Sequence, residues 1–167
     1  MRTSKKKSYT SSIVHGAVIA ALYVVMTYLT NVLGLANGAI QVRFSEALTI
    51  LPLFTPAAIP GLFVGCLLSN ILTGGIIWDI VFGSLATLLG AIGTYLLKRH
   101  VFVATLPPIL ANTLIIPFVL RYAYALEGSV PYFMLTVGIG EIVSCGVLGI
   151  LLYYALEKRK RYIFGTK

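Results

Sequence analysis

Four stretches of the sequence contain no Asp, Glu, Lys or Arg. They cover residues 8–42, 47–78, 80–97 and 101–120. A helix needs about 20 mostly apolar residues to cross about 30 Å of hydrocarbon. Only 11% of the residues are charged, whereas a soluble domain has about 25%. The sequence therefore predicts an all-α membrane protein and argues against a soluble enzyme or a globular DNA-binding domain.

The apolar residues divide into six predicted membrane helices, which form one membrane domain over residues 1–167 with no room for a soluble domain. The division between the second and third helices rests on Pro52, Pro56 and Pro60, because each proline removes a donor and clashes with the preceding turn. One long helix over residues 47–78 is the alternative. The predicted spans are 11–33, 39–55, 57–73, 79–97, 102–120 and 131–156.

The basic residues predict the orientation. They cluster at 5–7, at 98–99 and at 158–161. Cytoplasmic segments collect Lys and Arg, so both termini are expected in the cytoplasm, which requires an even number of spans. The net charge of +8 is then explained by orientation and by attraction to anionic lipid headgroups, without nucleic acid. With Arg2 and Lys167 at the ends of the sequence, eleven of the 13 basic residues are then cytoplasmic, and only Arg43 and Arg121 are not.

The N-terminus and the cysteines each have a second interpretation. A cleaved secretory signal is disfavoured, because the apolar run from Ile13 is longer than a usual signal core. Cys66 and Cys145 both lie inside predicted spans. We expect them to be free packing residues, without a disulfide framework or a metal site.

Three carboxylates lie within or at the ends of predicted spans: Glu46, Asp79 and Glu141. A carboxylate in a span is costly and usually faces the interior of the bundle, where it is paired or functional. Glu141 lies about 15 Å deep, counted from Pro131 at 1.5 Å per residue. Small residues on its face indicate that it points inward. The alternative is a protonated acid bonded to another helix.

Asp79 begins the fourth predicted helix and shares its face with a stripe of small residues. It binds ligand in one interpretation and caps the helix in the other. Trp78, beside it, either stacks on a ligand or anchors the chain at the membrane interface. The stripe consists of Gly83, Ala86, Gly90 and Gly93.

Arg43, Glu46, Asn70 and Asn112 complete the candidate site. The spacing of Arg43 and Glu46 permits a local ion pair, and ligand contact by Glu46 is the alternative. A buried asparagine amide must be satisfied, either by another helix or by a ligand. In the predicted topology, the outer half of the membrane contains Glu46, Asp79, Asn70 and Glu141, and Asn112 lies close to the midplane. They indicate an outward-facing pocket for a polar or cationic molecule.

Segment 41–52 contains the motif Arg-x-x-Glu-Ala-Leu, which begins at Arg43, and two further characteristic segments are 60–70 and 79–87. These segments and the first helix resemble the QueT family, whose members are substrate-binding S components of energy-coupling-factor (ECF) transporters. The first helix contributes the pair Ala17 and Ala21, spaced to let another helix approach closely, although packing inside the bundle is the alternative.

The resemblance implies a protein of the prokaryotic cell membrane that takes up a queuosine precursor, which is queuine or a related 7-deazaguanine. It also implies a transmembrane T component and two ATPases as partners, with Ala17 and Ala21 on the docking face. The chain has no Gly-x-x-x-x-Gly-Lys-Ser/Thr motif to cradle phosphates. We therefore expect no cofactor in this chain, and ATP bound by the partner ATPases.

The candidate residues suit such a ligand. A guanine-like edge offers adjacent N–H donors to a carboxylate, and a cationic amine forms a charge-assisted bond to another. Our hypothesis is that two of Glu46, Asp79 and Glu141 perform these tasks. Asparagine amides read the remaining ring atoms, and a flat ring favours an aromatic face.

Two other function classes compete with this hypothesis. In a self-sufficient proton-coupled transporter, Glu141 would carry protons as well as bind substrate. An intramembrane enzyme is disfavoured, because the sequence has neither a Gly-x-Ser-x-Gly elbow nor a His-Glu-x-x-His pair. His15 and His100 are both predicted near the cytoplasmic side, away from the acidic residues.

Overall fold

Helices form the whole of the regular structure in the residues that the computed structural model describes, which are 2–35 and 41–164, with side chains from residue 9 onward. The longest helix comes first. It begins at Arg2 and contains most of the uncharged stretch that starts at Ser8. The α-helices are α1 (Arg2–Val32), α2 (Ala58–Leu72), α3 (Ile77–Leu96), α4 (Val101–Ala104), α5 (Leu106–Phe118), α6 (Val130–Glu141), α7 (Gly149–Glu157) and α8 (Lys160–Phe164).

Among the described residues, four helical runs are long and apolar enough to cross a membrane. They are Tyr9–Val32, Ile77–Leu96, Val101–Ala123 and Val130–Glu157. The last two runs are continuous because short π-helical segments, Val119–Ala123 and Ile142–Leu148, extend the α-helices. These runs confirm the prediction of an all-α membrane protein.

The second predicted span differs from its expected form. We expected a helix over 39–55; its first residues lie outside the described part of the chain. The structure has a 3₁₀ helix, Phe44–Leu53, with Pro52 inside it. A 3₁₀ helix rises about 2.0 Å per residue, against about 1.5 Å in an α-helix. Its ten residues therefore cover about 20 Å, more depth than an α-helix of equal length.

Glycines let α1 approach α2 closely. A Cβ added to Gly61 would lie 2.6 Å from the carbonyl oxygen of Gly16, and one added to Gly65 would lie 2.7 Å from the Cβ of Tyr23. Ala20 also faces Gly65 and is buried. One small-residue face of α1 therefore packs inside the bundle.

The two ends of the bundle differ in what fills the space between the helices. At the end that contains both termini, Phe54 stacks on Tyr153 and on Phe164, with ring centroids 5.2 and 5.3 Å apart. There His15 Nε2 lies 3.0 Å from the carbonyl oxygen of Ile163, so the first and last helices meet. This end is closed by aromatic packing, whereas the opposite end contains a polar opening.

Candidate functional site

A cavity of about 590 Å³ opens at the end of the bundle opposite the termini. Its wall on the α1 side comes from the last turns of that helix, where Thr27 and Asn31 lie one turn apart. We call this opening the polar cavity. It is lined by Thr27, Tyr28, Thr30, Asn31, Gln41, Arg43, Asn70, Leu72, Thr73, Gly74, Gly75, Asp79, Leu120, Tyr124 and Leu126.

Asp79 is the carboxylate of the polar cavity. Its Oδ2 accepts a hydrogen bond of 3.2 Å from the Tyr124 hydroxyl. Asn70 Nδ2 donates to the Asp79 backbone carbonyl over 3.3 Å. A Cβ on Gly83 would lie 3.0 Å from Asn70 Nδ2, so this glycine leaves room for the amide. The structure therefore brings Asn70 and Asp79 together, as the sequence predicted for a shared pocket.

Asp79 does not cap α3. The capping position is Ile76, and no side-chain cap hydrogen bond is formed there. Asp79 lies in the first turn of the helix, where a negative charge interacts favourably with the helix dipole. The interpretation of Asp79 as an N-cap is therefore wrong, and its side chain is left for the cavity.

The segment 41–43 forms the floor of the polar cavity. The Arg43 backbone N–H donates to Ser144 Oγ over 3.0 Å. A Cβ on Gly140 would overlap the carbonyl oxygen of Gln41, so only glycine permits this approach. Beneath Gln41 and Arg43 lies a chamber of about 10 Å³ that Glu141 also lines. Arg43 and Gln41 thus line both spaces and separate them.

Glu141, which lines this chamber, belongs to a set of five buried polar side chains. We call this set the buried cluster. Tyr23 donates its hydroxyl hydrogen to Glu46 Oε1, and Cys145 Sγ donates to Glu141 Oε2 over 3.1 Å. The Asn112 amide lies beside both carboxyl groups. The members are Tyr23, Glu46, Asn112, Glu141 and Cys145, all less than 9% exposed.

The ion pair that the spacing of Arg43 and Glu46 permits is absent from the described residues, where the one salt bridge joins Glu157 to Lys160. Glu46 is instead held by Tyr23, a residue from another helix. Arg43 nonetheless acts electrostatically on both Glu46 and Asp79. It is therefore the positive charge between the two compartments.

The ligating atoms of Glu46, Glu141 and Cys145 lie within 4.8 Å of one another. Carboxylate oxygens and a thiolate form a donor set that Zn²⁺ can accept. The expectation that the chain holds no metal stays a prediction. Both cysteines are free and buried, and Cys145 contacts a carboxylate rather than serving as packing alone.

Trp78 lies apart from both compartments. It is 55% exposed and stacks on Phe82 with ring centroids 5.9 Å apart. Both rings line an apolar surface groove with Phe118 and Tyr122. This position matches an anchor at the membrane interface, and the structure does not bring Trp78 to the other candidate residues.

Two tyrosines that the sequence did not predict as site residues, Tyr23 and Tyr124, donate hydrogen bonds to Glu46 and Asp79. Tyr23 begins a polar stripe on α1 that continues at Thr27 and Thr30, and these spacings of four and three mark one helix face. That stripe inside an apolar helix was the available signal. Tyr124 gives a weaker signal, because it lies between the fifth and sixth predicted spans. Partial burial, with the charge of Asp79, raises the pKa of the Tyr124 phenol.

Comparison with known proteins decides the family. The model of the QueT transporter family matches residues 13–158. The chain belongs to the QueT transporter family. A relative from Lactococcus lactis subsp. cremoris (strain MG1363), described as "Queuosine precursor transporter QueT", is 39% identical over 84 residues.

The family match confirms the resemblance found in the three sequence segments. The match to the Lactococcus relative covers 50% of this chain and 48% of the relative, so the chain spans about half of that QueT protein's length. No solved structure matches the chain.

Proposed function

We propose that this multi-pass membrane protein is the substrate-binding S component of an ATP-driven ECF importer for a queuosine precursor. The observation that carries the proposal is the adjacency of two polar compartments: Asp79 lines the open cavity, Glu141 lines the buried chamber, and Gln41 and Arg43 line both. The name of the Lactococcus relative supports the substrate class. A transport role without catalysis follows from the same assignment.

The proposed topology has six crossings and cytoplasmic termini, in the plasma membrane of a prokaryote. Four runs have sufficient length, and the two shorter apolar helices, Phe44–Leu53 and Ala58–Leu72, supply the others. The basic clusters at 5–7, 98–99 and 158–161 then lie on the cytoplasmic side. The polar cavity faces outward, as capture of an external solute requires.

The polar cavity suits a 7-deazaguanine in size and chemistry. Small-molecule sites have volumes of about 300–1,000 Å³, and this cavity has about 590 Å³. Asp79 offers a carboxylate for a cationic amine, and Tyr28 and Tyr124 offer aromatic faces. Asn70 and Arg43 supply hydrogen-bond donors for ring acceptors.

Binding of radiolabelled 7-aminomethyl-7-deazaguanine to the purified chain tests this function. We expect saturable binding that is weakened by alanine at Asp79, Glu46 or Glu141. Glu127→Ala is the matched control, because Glu127 is an exposed carboxylate in the loop before α6. Undiminished binding in all three site variants would overturn the proposed site.

The partner surface is the outer face of α1. Ala17 and Ala21 are exposed, so they do not pack inside the described bundle, while Gly16 and Ala20 on the adjacent face do. Val18 and Leu22 extend the exposed face, at 51% and 45%. Small residues on such a surface let a second membrane helix approach, which suits the T component.

Copurification tests the partners. Ala17→Trp with Ala21→Trp should abolish copurification of the T component and the two ATPases and leave ligand binding unchanged. Leu89→Trp, an exposed position on α3, is the control and should retain the complex. Copurification of the complex with the α1 variant would contradict the docking face.

A proton-coupled transporter remains the second candidate, because one observation favours it. The buried carboxyl groups of Glu46 and Glu141 lie within 4.8 Å of each other, and intramembrane carboxylates form proton relays. Uptake by this chain alone, in liposomes with a proton gradient, would favour this candidate. Uptake that needs ATP and the partner subunits would favour the S component.

A further inference from the structure

Two atoms of the buried cluster have no hydrogen-bond partner among the described residues: Glu46 Oε2, an acceptor, and Asn112 Nδ2, a donor. Glu46 is 1% exposed and Asn112 is 4% exposed. Buried polar groups are satisfied in the great majority of cases, because an unpaired one retains its full desolvation cost. An unpaired acceptor beside an unpaired donor therefore indicates that something else completes the pair.

The other oxygens of the two carboxyl groups are already engaged. Tyr23 occupies Glu46 Oε1, and Cys145 occupies Glu141 Oε2. Each carboxyl group thus keeps one oxygen for a ligand, and neither offers both oxygens to one edge. The Asn112 amide lies beside both groups, but its Nδ2 forms no hydrogen bond of normal geometry to either of them. Together the three side chains offer a ligand one donor and two acceptors.

We propose that Glu46 and Asn112 together read the lactam edge of the substrate ring, as the specificity pair of the transporter. A ring lactam presents an N–H donor and a C=O acceptor side by side, which is the complement of Glu46 Oε2 and Asn112 Nδ2. An exocyclic amine on the next ring carbon donates to Glu141. This assignment rests on the proposed function and specifies which residues read which edge.

The route to this pair passes the floor of the polar cavity. Gln41 and Arg43 share with Glu141 a chamber of about 10 Å³, which Glu46 and Asn112 do not line. This volume is near the minimum for one water. The ring edge therefore reaches the specificity pair only when the side chains of Gln41 and Arg43 turn aside. Asp79, which lies in the polar cavity, remains available for the ring substituent.

Competition by three ring analogues against radiolabelled 7-aminomethyl-7-deazaguanine tests the pair on the wild-type chain. 7-Deazaguanine has the full edge, 7-deazahypoxanthine lacks the exocyclic amine, and 7-deazaadenine exchanges donor and acceptor along the edge. We expect 7-deazahypoxanthine to compete about tenfold more weakly than 7-deazaguanine. We expect 7-deazaadenine to compete at least about 100-fold more weakly than 7-deazaguanine. Its ring nitrogen would place an acceptor against Glu46 Oε2, and its amine would place a donor against Asn112 Nδ2.

Two substitutions then exchange the hydrogen-bond acceptor at Glu46 and the donor at Asn112. In Glu46→Gln, the Tyr23 hydroxyl keeps the amide oxygen at Oε1, so the amide nitrogen takes the place of Oε2. The variant presents a donor where wild type presents an acceptor. Together with Asn112→Asp, it should lower the preference for 7-deazaguanine over 7-deazaadenine by at least about 100-fold. A purely structural role would weaken both analogues equally.

Thr113→Val is the matched control. The Thr113 hydroxyl is also buried and unpaired among the described residues, but it faces Gly138 rather than the carboxyl groups. Its removal should leave the analogue ratios unchanged. Equal competition by 7-deazaguanine and 7-deazaadenine in wild type, or unchanged ratios in the Glu46 and Asn112 variants, would overturn the pair alone. Failure of wild type to bind any 7-deazapurine would overturn the proposed function and the pair with it.

Discussion

The polar cavity and the buried cluster both contain carboxylates, but they hold them differently. Asp79 lines an opening and is bonded by Tyr124, a side chain at the mouth. Glu46 and Glu141 lie beneath a floor and are bonded by Tyr23 and Cys145. Asp79 and Glu141 are both buried, at 8% and 7% exposed, so the difference lies in the space that each one lines. A carboxylate in the wall of an open cavity can attract a cation, whereas one in the packed interior with one free oxygen can discriminate between ring edges. The difference suggests that capture and recognition occur at different depths.

Displacing the segment that separates the two compartments should have the largest effect on stability. In Gly140→Val, the added side chain overlaps the Gln41 carbonyl, which is backbone and cannot turn away. Overpacking of this kind should destabilise the protein by about 3 kcal/mol, measured by thermal denaturation in detergent micelles. In Gly138→Ala, the new Cβ meets Thr113 at an ordinary 3.5 Å. That control should change stability by no more than about 1 kcal/mol.

Removing the bond inside the buried cluster should come next. Tyr23→Phe leaves Glu46 Oε1 without its donor, and an unsatisfied buried acceptor costs about 2 kcal/mol. Chemical or thermal unfolding in detergent should show this loss. Tyr28→Phe, a 64% exposed tyrosine on the same helix, should show no loss. Equal stability of the two variants would contradict the importance of the Tyr23 bond.

Neutralising the cavity carboxylate should affect binding more than stability. Asp79→Asn removes the negative charge but keeps an oxygen that accepts from Tyr124. We expect binding of 7-aminomethyl-7-deazaguanine to weaken about tenfold, measured by titration calorimetry, with an unfolding temperature close to wild type. If the variant instead unfolds as readily as Tyr23→Phe, the two compartments do not differ as described.

The smallest effect should come from the mouth of the cavity. Tyr124→Phe removes the donor to Asp79 and should weaken binding about threefold, as for a partly exposed hydrogen bond. Because burial and Asp79 raise the pKa of the Tyr124 phenol above 10.0, the hydroxyl stays protonated through neutral and mildly basic pH. The ratio between variant and wild type should therefore be the same at about pH 6 and about pH 9.

The sequence predicted the helical membrane architecture because long apolar runs have few alternatives in a bilayer. It also identified Glu46, Asp79 and Glu141, since a carboxylate in such a run needs an explanation. It did not predict that Arg43 and Gln41 divide these residues between two compartments. That division depends on the close contact between Gly140 and the backbone of Gln41, two residues that lie far apart in the sequence. It also missed Tyr23, because a single tyrosine in an apolar helix does not reveal its partner.

The most direct test of the two-compartment site is an experimentally determined structure of the chain with bound 7-aminomethyl-7-deazaguanine. We expect the amine beside Asp79 in the polar cavity, and the ring edge within hydrogen-bond distance of Glu46 Oε2 and Asn112 Nδ2. In that structure the side chains of Gln41 and Arg43 should have turned aside. A ligand that lies wholly above this floor, or in the apolar groove beside Trp78, would contradict the account.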